Sequence, residues 1–110
     1  RGELSQALEA CDRAFELDPM YVMTYDTAGQ VSLAKQDFED ALRYFTRAAE
    51  LTPKAPHRRE NMARGLMMKG YYAEAWAQVR LCRRLGGSPD PGLIDELSAR
   101  MPEPTIPPRR

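Results

Sequence analysis

The feature that most constrains the fold of this chain is a repeat of 34 residues. Three segments superpose when the sequence is shifted by that length, and they begin at Gly2, Gln36 and Gly70. A fixed period of this length is typical of stacked copies of one structural unit. Residues of the same kind keep register through the three segments: Ala7, Ala41 and Ala75; Cys11, Phe45 and Val79; Ala14, Ala48 and Cys82.

Two further helical patterns lie between these segments. One runs from Tyr25 to Ser32 and the other from Met62 to Leu66, each with apolar or small residues at helical spacing. Pro19 follows the first segment at the point where a helix must stop. The repeating unit is therefore a helix pair, and strand patterning is absent. The sequence predicts six helices, over residues 3–17, 21–35, 38–50, 56–69, 72–85 and 91–101.

These residues resemble the tetratricopeptide repeat, a helix–turn–helix unit of 34 residues with small residues where its helices touch and a closing proline. The resemblance covers about residues 2–87. It departs from the family pattern at Ser32 and Arg59, where aromatic residues are common, and at Gly87, where the proline would stand. The resemblance implies an all-α fold, a right-handed solenoid of antiparallel helix pairs. The middle repeat matches the pattern in kind at Tyr25, Ala28, Gly29, Ala41, Phe45, Ala48 and Pro53.

The repeat register divides the chain into one repeat domain, residues 1–101, and a tail. We expect a half repeat over residues 2–19, full repeats at about 20–53 and 54–87, and a C-terminal capping helix over 90–101. Asp90 is predicted to be the N-cap of that last helix, with Pro91 just inside it. Because the half repeat has only its second helix, we expect an open N-terminal end that leaves three apolar side chains uncovered: Leu4, Leu8 and Phe15.

The tail, residues 102–110, is rich in proline and is predicted to be extended or disordered. Pro104, Pro107 and Arg109 have the spacing of a proline-rich ligand for aromatic-lined grooves. A plain tail or linker explains the same composition.

The residue inventory argues against catalysis. His57 is the single histidine, and the sequence suggests no partner that would position it as a general base. Cys11 and Cys82 lie two repeats apart, too far for a disulfide, and are expected to be buried packing residues. Glu39 and Asp40 are adjacent carboxylates at a helix start, where negative charge suits the helix dipole. We therefore predict a chain that is not an enzyme and has neither a metal nor a cofactor.

The resemblance implies a binding groove on the concave side, lined by the first helix of each pair. Methionines make such a surface adaptable, and Arg64 can hydrogen-bond a peptide backbone or a carboxylate. Some members of the family grip a C-terminal carboxylate with lysines and an asparagine, but Asp26 and Gln30 stand at the matching places here. The predicted groove residues are Met23, Asp26, Thr27, Gln30, Leu33, Ala34, His57, Glu60, Asn61, Arg64, Met67 and Met68.

The formal net charge of +0 conceals an asymmetry along the chain. Residues 1–53 contain 5 basic and 10 acidic side chains, whereas residues 54–88 contain 8 basic and 2 acidic side chains. Such a basic block suits an acidic partner, the acidic end of a second copy, or solvent alone. Nucleic acid is not expected, because no aromatic residues interleave with the arginines. The predicted basic patch, next to Arg64 of the groove, comprises Arg58, Arg59, Arg80, Arg83 and Arg84.

Together these patterns predict a non-catalytic scaffold or adaptor that binds a peptide or helix of a partner protein in its groove. One alternative is a repeat domain that holds protein substrates for a larger enzyme, such as a transferase. A second is a secretion-type chaperone or a self-assembling scaffold, in which the oppositely charged blocks associate head to tail. No apolar run approaches the roughly 18 residues of a membrane-spanning helix, so membrane insertion is not expected.

Overall fold

The structure, a computed structural model, describes residues 2–105. Its described part is all-helical with no strand, as predicted, and each predicted helix is present with bounds that differ by at most one residue. None of these helices is long and apolar enough to cross a bilayer. The six helices are α1 (Gly2–Leu17), α2 (Val22–Ala34), α3 (Phe38–Leu51), α4 (Pro56–Met68), α5 (Tyr72–Arg84) and α6 (Pro91–Arg100).

Each helix packs against the next one in the chain. The result is an elongated body with principal extents of 51 × 27 × 19 Å. This neighbour-to-neighbour packing is the arrangement expected of helical repeats, which bury their apolar faces on adjacent units. The all-α helical-repeat fold predicted from the 34-residue period is therefore confirmed.

The turns inside the helix pairs repeat with the same period. Gln36 and Gly70, 34 residues apart, both adopt a left-handed backbone, with φ of 65° and 87°. Glycine adopts this conformation without strain, whereas glutamine pays a steric cost there. In each turn a backbone N–H donates to the carbonyl five residues earlier, at 2.9 Å, and the pairs are Asp37 to Ser32 and Tyr71 to Leu66.

Small residues allow α2 and α3 to approach closely. Gly29 is buried against the ring of Phe45, and a Cβ at this position would lie 2.6 Å from Cδ1 of that ring and closer still to Cε1. Ala28, Ala41 and Ala48 are fully buried in the same region. The repeat's small-residue positions are therefore the helix contacts.

The last three helices share one apolar core. α6 contributes Leu93 and Leu97, both fully buried, which pack with Trp76 and Val79 of α5. α6 thus covers the apolar face of α5, and Pro91 stands in its first turn as predicted. Asp90 occupies the N-cap position, but its side chain makes no capping hydrogen bond.

The structure corrects the expectation that Phe15 is uncovered. Its ring packs against Tyr25, with centroids 4.6 Å apart, and stacks on Tyr44 at 5.9 Å. Leu4 and Leu8 are half-buried. The apolar side of α1 therefore turns inward, toward α2 and α3.

The first part of the tail, residues 102–105, is non-helical and lies against α5. Its carbonyl and carboxylate oxygens accept hydrogen bonds from arginines of that helix. Pro107 and Arg109 of the proline-rich motif lie outside the described residues.

The contact of Gly29 with Phe45 gives a direct test of the helix packing. We expect Gly29→Ala to lower the free energy of unfolding by about 1–3 kcal/mol, because the added methyl group overpacks a buried ring. Gly65→Ala is the matched control, since its Cβ would lie 3.5 Å from Leu42, an ordinary contact. That control should be neutral or gain up to about 1 kcal/mol of helix propensity. Urea denaturation measures both, and equal effects would contradict the packing.

Candidate functional site

The predicted groove residues lie on α2 and α4 and differ in accessibility. Met23, Thr27, Gln30, Ala34, His57 and Met68 are exposed. Asp26, Leu33, Glu60, Asn61 and Arg64 are half-buried, and Met67 is buried. The groove predicted from the resemblance therefore has an accessible surface on both helices, but one of its members faces the core.

Met67 is the member that must be removed from the predicted groove. It is 3% exposed and belongs to the core cluster with Trp76 and Leu93, whereas Met68 is 43% exposed. Ala63 and Ala75 are small, so the core side of α4 has room for Met67 beside Leu66. The pair of methionines is thus split between core and surface.

Arg58 is not part of a solvated basic patch. It is 5% exposed, and its guanidinium forms an ion pair with Asp26 of α2. Its Nε donates to Oγ1 of Thr52 at 3.2 Å, and its Nη2 lies 3.8 Å from Sδ of Met23. Burial lowers the pKa of Arg58. This side chain therefore ties the two helices of the predicted groove together.

A second polar cluster joins α4 to the start of α6. Oε2 of Glu60 lies 3.2 Å from Nη2 of Arg64 and accepts a hydrogen bond of the same length from the backbone N–H of Asp90. The carboxylate of Asp90 lies 4.0 Å from Arg64. A ligand carboxylate at Arg64 would therefore compete with two internal acidic residues.

A cleft between α1 and α2, with a volume of about 300 Å³, extends the predicted groove. Ala7 and Ala14 line it and are partly exposed, whereas their repeat equivalents Ala41 and Ala48 are fully buried. The sequence signal that could have located the cleft is the half repeat, because Ala7 and Ala14 match buried alanines of α3 while no helix within residues 2–105 precedes α1 to cover them. Two of its residues belong to the predicted groove, Met23 and Thr27, and the others are Ala7, Ala10, Cys11, Ala14, Tyr21 and Thr24.

Large apolar side chains are exposed at the loop between α1 and α2. Tyr21 and Met23 line the cleft and are 56% and 48% exposed, and Leu17 and Met20 nearby in sequence are also exposed. Exposed large apolar side chains beside a cleft are candidate contacts for a partner. The α1–α2 end of the molecule therefore offers apolar area for a binding partner.

The predicted basic patch does not form one surface. Arg58 is buried against α2, and Nη1 of Arg59 lies 3.8 Å from Sδ of Met62 on its own helix. On α5, Arg80 and Arg83 contact Glu103 of the tail, while Arg84 is exposed. The charge asymmetry of the sequence is therefore partly neutralised inside the molecule.

The single histidine and the two cysteines differ in accessibility. His57 is exposed, and residues 2–105 contain no group of three or more histidine, cysteine or acidic side chains that could hold a metal ion. Cys11 and Cys82 are free and buried, as predicted. Burial and the nearby charge of Asp12 raise the pKa of Cys11, and burial with Glu60 raises the pKa of Cys82.

Comparison with known proteins shows a partial similarity to a protein of helical repeats. No family model matches the chain. The chain is 30% identical over 80 residues to superkiller complex protein 3 of Homo sapiens, and equally to that of Mus musculus. The matched part is 73% of this chain and about 5% of each relative's length. The similarity is to a protein of tetratricopeptide repeats, and it supports a repeat of that kind.

The ion pair between Asp26 and Arg58 should be important for stability. Asp26→Ala leaves a buried guanidinium without its counter-charge, and we expect a loss of about 3 kcal/mol in the free energy of unfolding. Glu50→Ala is the matched control, because it breaks the exposed pair with Arg47 and should cost at most about 1 kcal/mol. Urea denaturation distinguishes the two variants. Equal losses in the free energy of unfolding would show that the buried pair stabilises the fold no more than the exposed pair does.

The raised pKa of Cys11 predicts slow alkylation. The thiolate is the reactive form, so a raised pKa shifts its appearance to a pH above the usual thiol range. In a Cys82→Ser chain at pH 7.5, we expect iodoacetamide to modify Cys11 more slowly than an unfolded control peptide, with a rate that rises at higher pH. Mass spectrometry follows the reaction. Modification as fast as in the peptide would contradict the burial of this thiol.

Proposed function

We propose that this chain is a protein-interaction module of tetratricopeptide type that binds a peptide or helix of a partner protein. The observation that carries the proposal is the cleft between α1 and α2, which has a volume of about 300 Å³ and continues into the predicted groove at Met23 and Thr27. Three alanines line it together with Cys11 and Met23, and Tyr21 is exposed at its edge. Apolar burial would therefore supply most of the binding free energy.

The polar residues of the groove favour a neutral ligand over an acidic one. Asp26 already pairs with Arg58, and Arg64 lies beside Glu60 and Asp90. Capture of a C-terminal carboxylate would place a further negative charge near these carboxylates. Gln30 is exposed and can hydrogen-bond a peptide backbone. We infer a ligand that presents apolar side chains to the cleft.

The similarity to superkiller complex protein 3 supports a protein partner, because that protein is named as a member of a complex. The chain matches about 5% of that relative's length, so the proposal takes over only the role of binding another protein. A role without catalysis is part of the same proposal. Self-association is not proposed, because two arginines of the basic block contact Glu103 of the same chain and a third is buried.

A peptide selected from a random display library on the immobilised chain tests the groove. We expect Thr27→Arg combined with Gln30→Arg to weaken binding of the selected peptide about tenfold or more, because both positions are exposed along the groove. Ser98→Arg with Ala99→Arg on α6 adds the same charge at exposed positions and is the matched control. Calorimetry measures the affinities.

The selected peptide should also slow the alkylation of Cys11, since this thiol lines the cleft. Circular dichroism verifies that each variant is folded. Undiminished binding to the α2 variant, together with unprotected Cys11, would move the binding site away from this face and overturn the proposal.

A further inference from the structure

The start of the tail lies on one face of α5. Trp76, Arg80 and Arg83 are spaced at i, i+4 and i+7 and therefore point the same way. The indole Nε1–H of Trp76 donates to the carbonyl of Met101 at 2.9 Å. Nη1 of Arg83 lies 2.9 Å from Oε2 of Glu103. This helix face therefore holds an extended segment of the same chain.

Arg80 contributes two further contacts to the segment. Its Nη2 donates to the carbonyl of Pro104, and its Nε lies 3.8 Å from Oε2 of Glu103. The side chain of Arg80 is 24% exposed and that of Arg83 is 42% exposed, so both remain reachable from solvent. One carboxylate thus lies between two guanidinium groups.

The hydrogen-bonding chemistry of the two sides is complementary. Indole and guanidinium groups are donors only, so this face of α5 offers no acceptor from Trp76, Arg80 or Arg83. Pro102 and Pro104 have no backbone N–H, and the segment therefore presents carbonyl and carboxylate acceptors. Proline also favours the extended conformation before binding, which lowers the entropy lost on docking.

The charges of the site are not balanced by the tail. Arg80 and Arg83 carry two positive charges, the adjacent Arg84 is exposed, and Glu103 supplies one negative charge. A segment with more acidic residues would gain further charge-assisted hydrogen bonds here. The tail has the advantage of attachment, since a short tether gives an effective concentration of about millimolar.

We propose that Arg80 and Arg83 form a second binding site, for an extended acidic peptide with prolines beside its glutamate, and that residues 102–105 occupy this site in competition with such a partner. Trp76 is buried beside the site and holds Met101, the residue that precedes the segment. The site uses none of the groove residues, so it stands or fails independently of the function proposed above. A partner peptide must therefore bind more strongly than the tethered tail in order to occupy the site.

The test compares the full chain with a chain that ends after Met101. The probe is a blocked synthetic peptide with the sequence of residues 102–105, titrated while nitrogen–proton NMR spectra follow the arginine Nε–H signals and the indole signal of Trp76. Trp76 is the single tryptophan, so its indole signal is unambiguous. We expect the shortened chain to bind the probe about tenfold more tightly than the full chain, because no tail competes.

Two variants of the shortened chain identify the site. Arg83→Gln should weaken probe binding about tenfold, because it removes a hydrogen bond between charged groups. Arg84→Gln removes the same charge from the adjacent residue, which has no carboxylate partner within residues 2–105, and should change affinity less than twofold. Equal losses in the two variants would indicate diffuse attraction and overturn the proposal.

Three further measurements complete the test. A probe peptide with glutamine in place of glutamate, and inorganic phosphate, should each bind at least about tenfold more weakly than the acidic peptide. If circular dichroism shows that the shortened chain is unfolded, the full chain with Glu103→Gln replaces it and should bind the acidic probe more tightly than the parent. No gain in affinity on weakening the tail, or equal binding of phosphate, would overturn the proposal.

Discussion

The packing of Gly29 against Phe45 is the contact on which the rest of the structure depends. Without a side chain at this position, α2 lies directly on the ring of α3. On the same helix, Asp26 pairs with Arg58 of α4, and this ion pair joins two helices that are not neighbours in the chain. The predicted groove and the cleft beside α1 both rest on α2. One missing methyl group therefore positions both parts of the candidate binding surface.

The polar residues of the groove hold the helices together, in addition to any contact they make with a ligand. Arg58 links α4 to α2, and Glu60 links α4 to the start of α6. These groups are already hydrogen-bonded or ion-paired, so a ligand that uses them must replace an internal partner. The alanine-lined cleft carries no such cost. In typical binding pockets, apolar burial supplies most of the affinity, and a few accessible polar groups orient the ligand.

The helices were predictable from the sequence because their signals are local. Proline, glycine and helical spacing fix where each helix begins and ends, and the predicted bounds of all six helices agree with the structure within one residue. The burial of individual side chains was harder to predict from the sequence, since Met67 and Met68 have the same chemistry and differ only in the direction they face. The partners of Arg58 and Arg83 are distant in sequence, at Asp26 and Glu103. Residue composition alone suggests that such arginines are exposed to solvent. Their acidic partners can be identified only from the fold.

The elongated stacking also distributes stability unevenly along the molecule. The core cluster lies on α4, α5 and α6, whereas α1 is held mainly by α2. In a linear array each helix is stabilised by the helices on which it packs. The cleft leaves part of the surface of α1 without a packing partner within residues 2–105. An occupant of the cleft would therefore complete the packing of α1, and ligand binding would suppress the fraying of this helix.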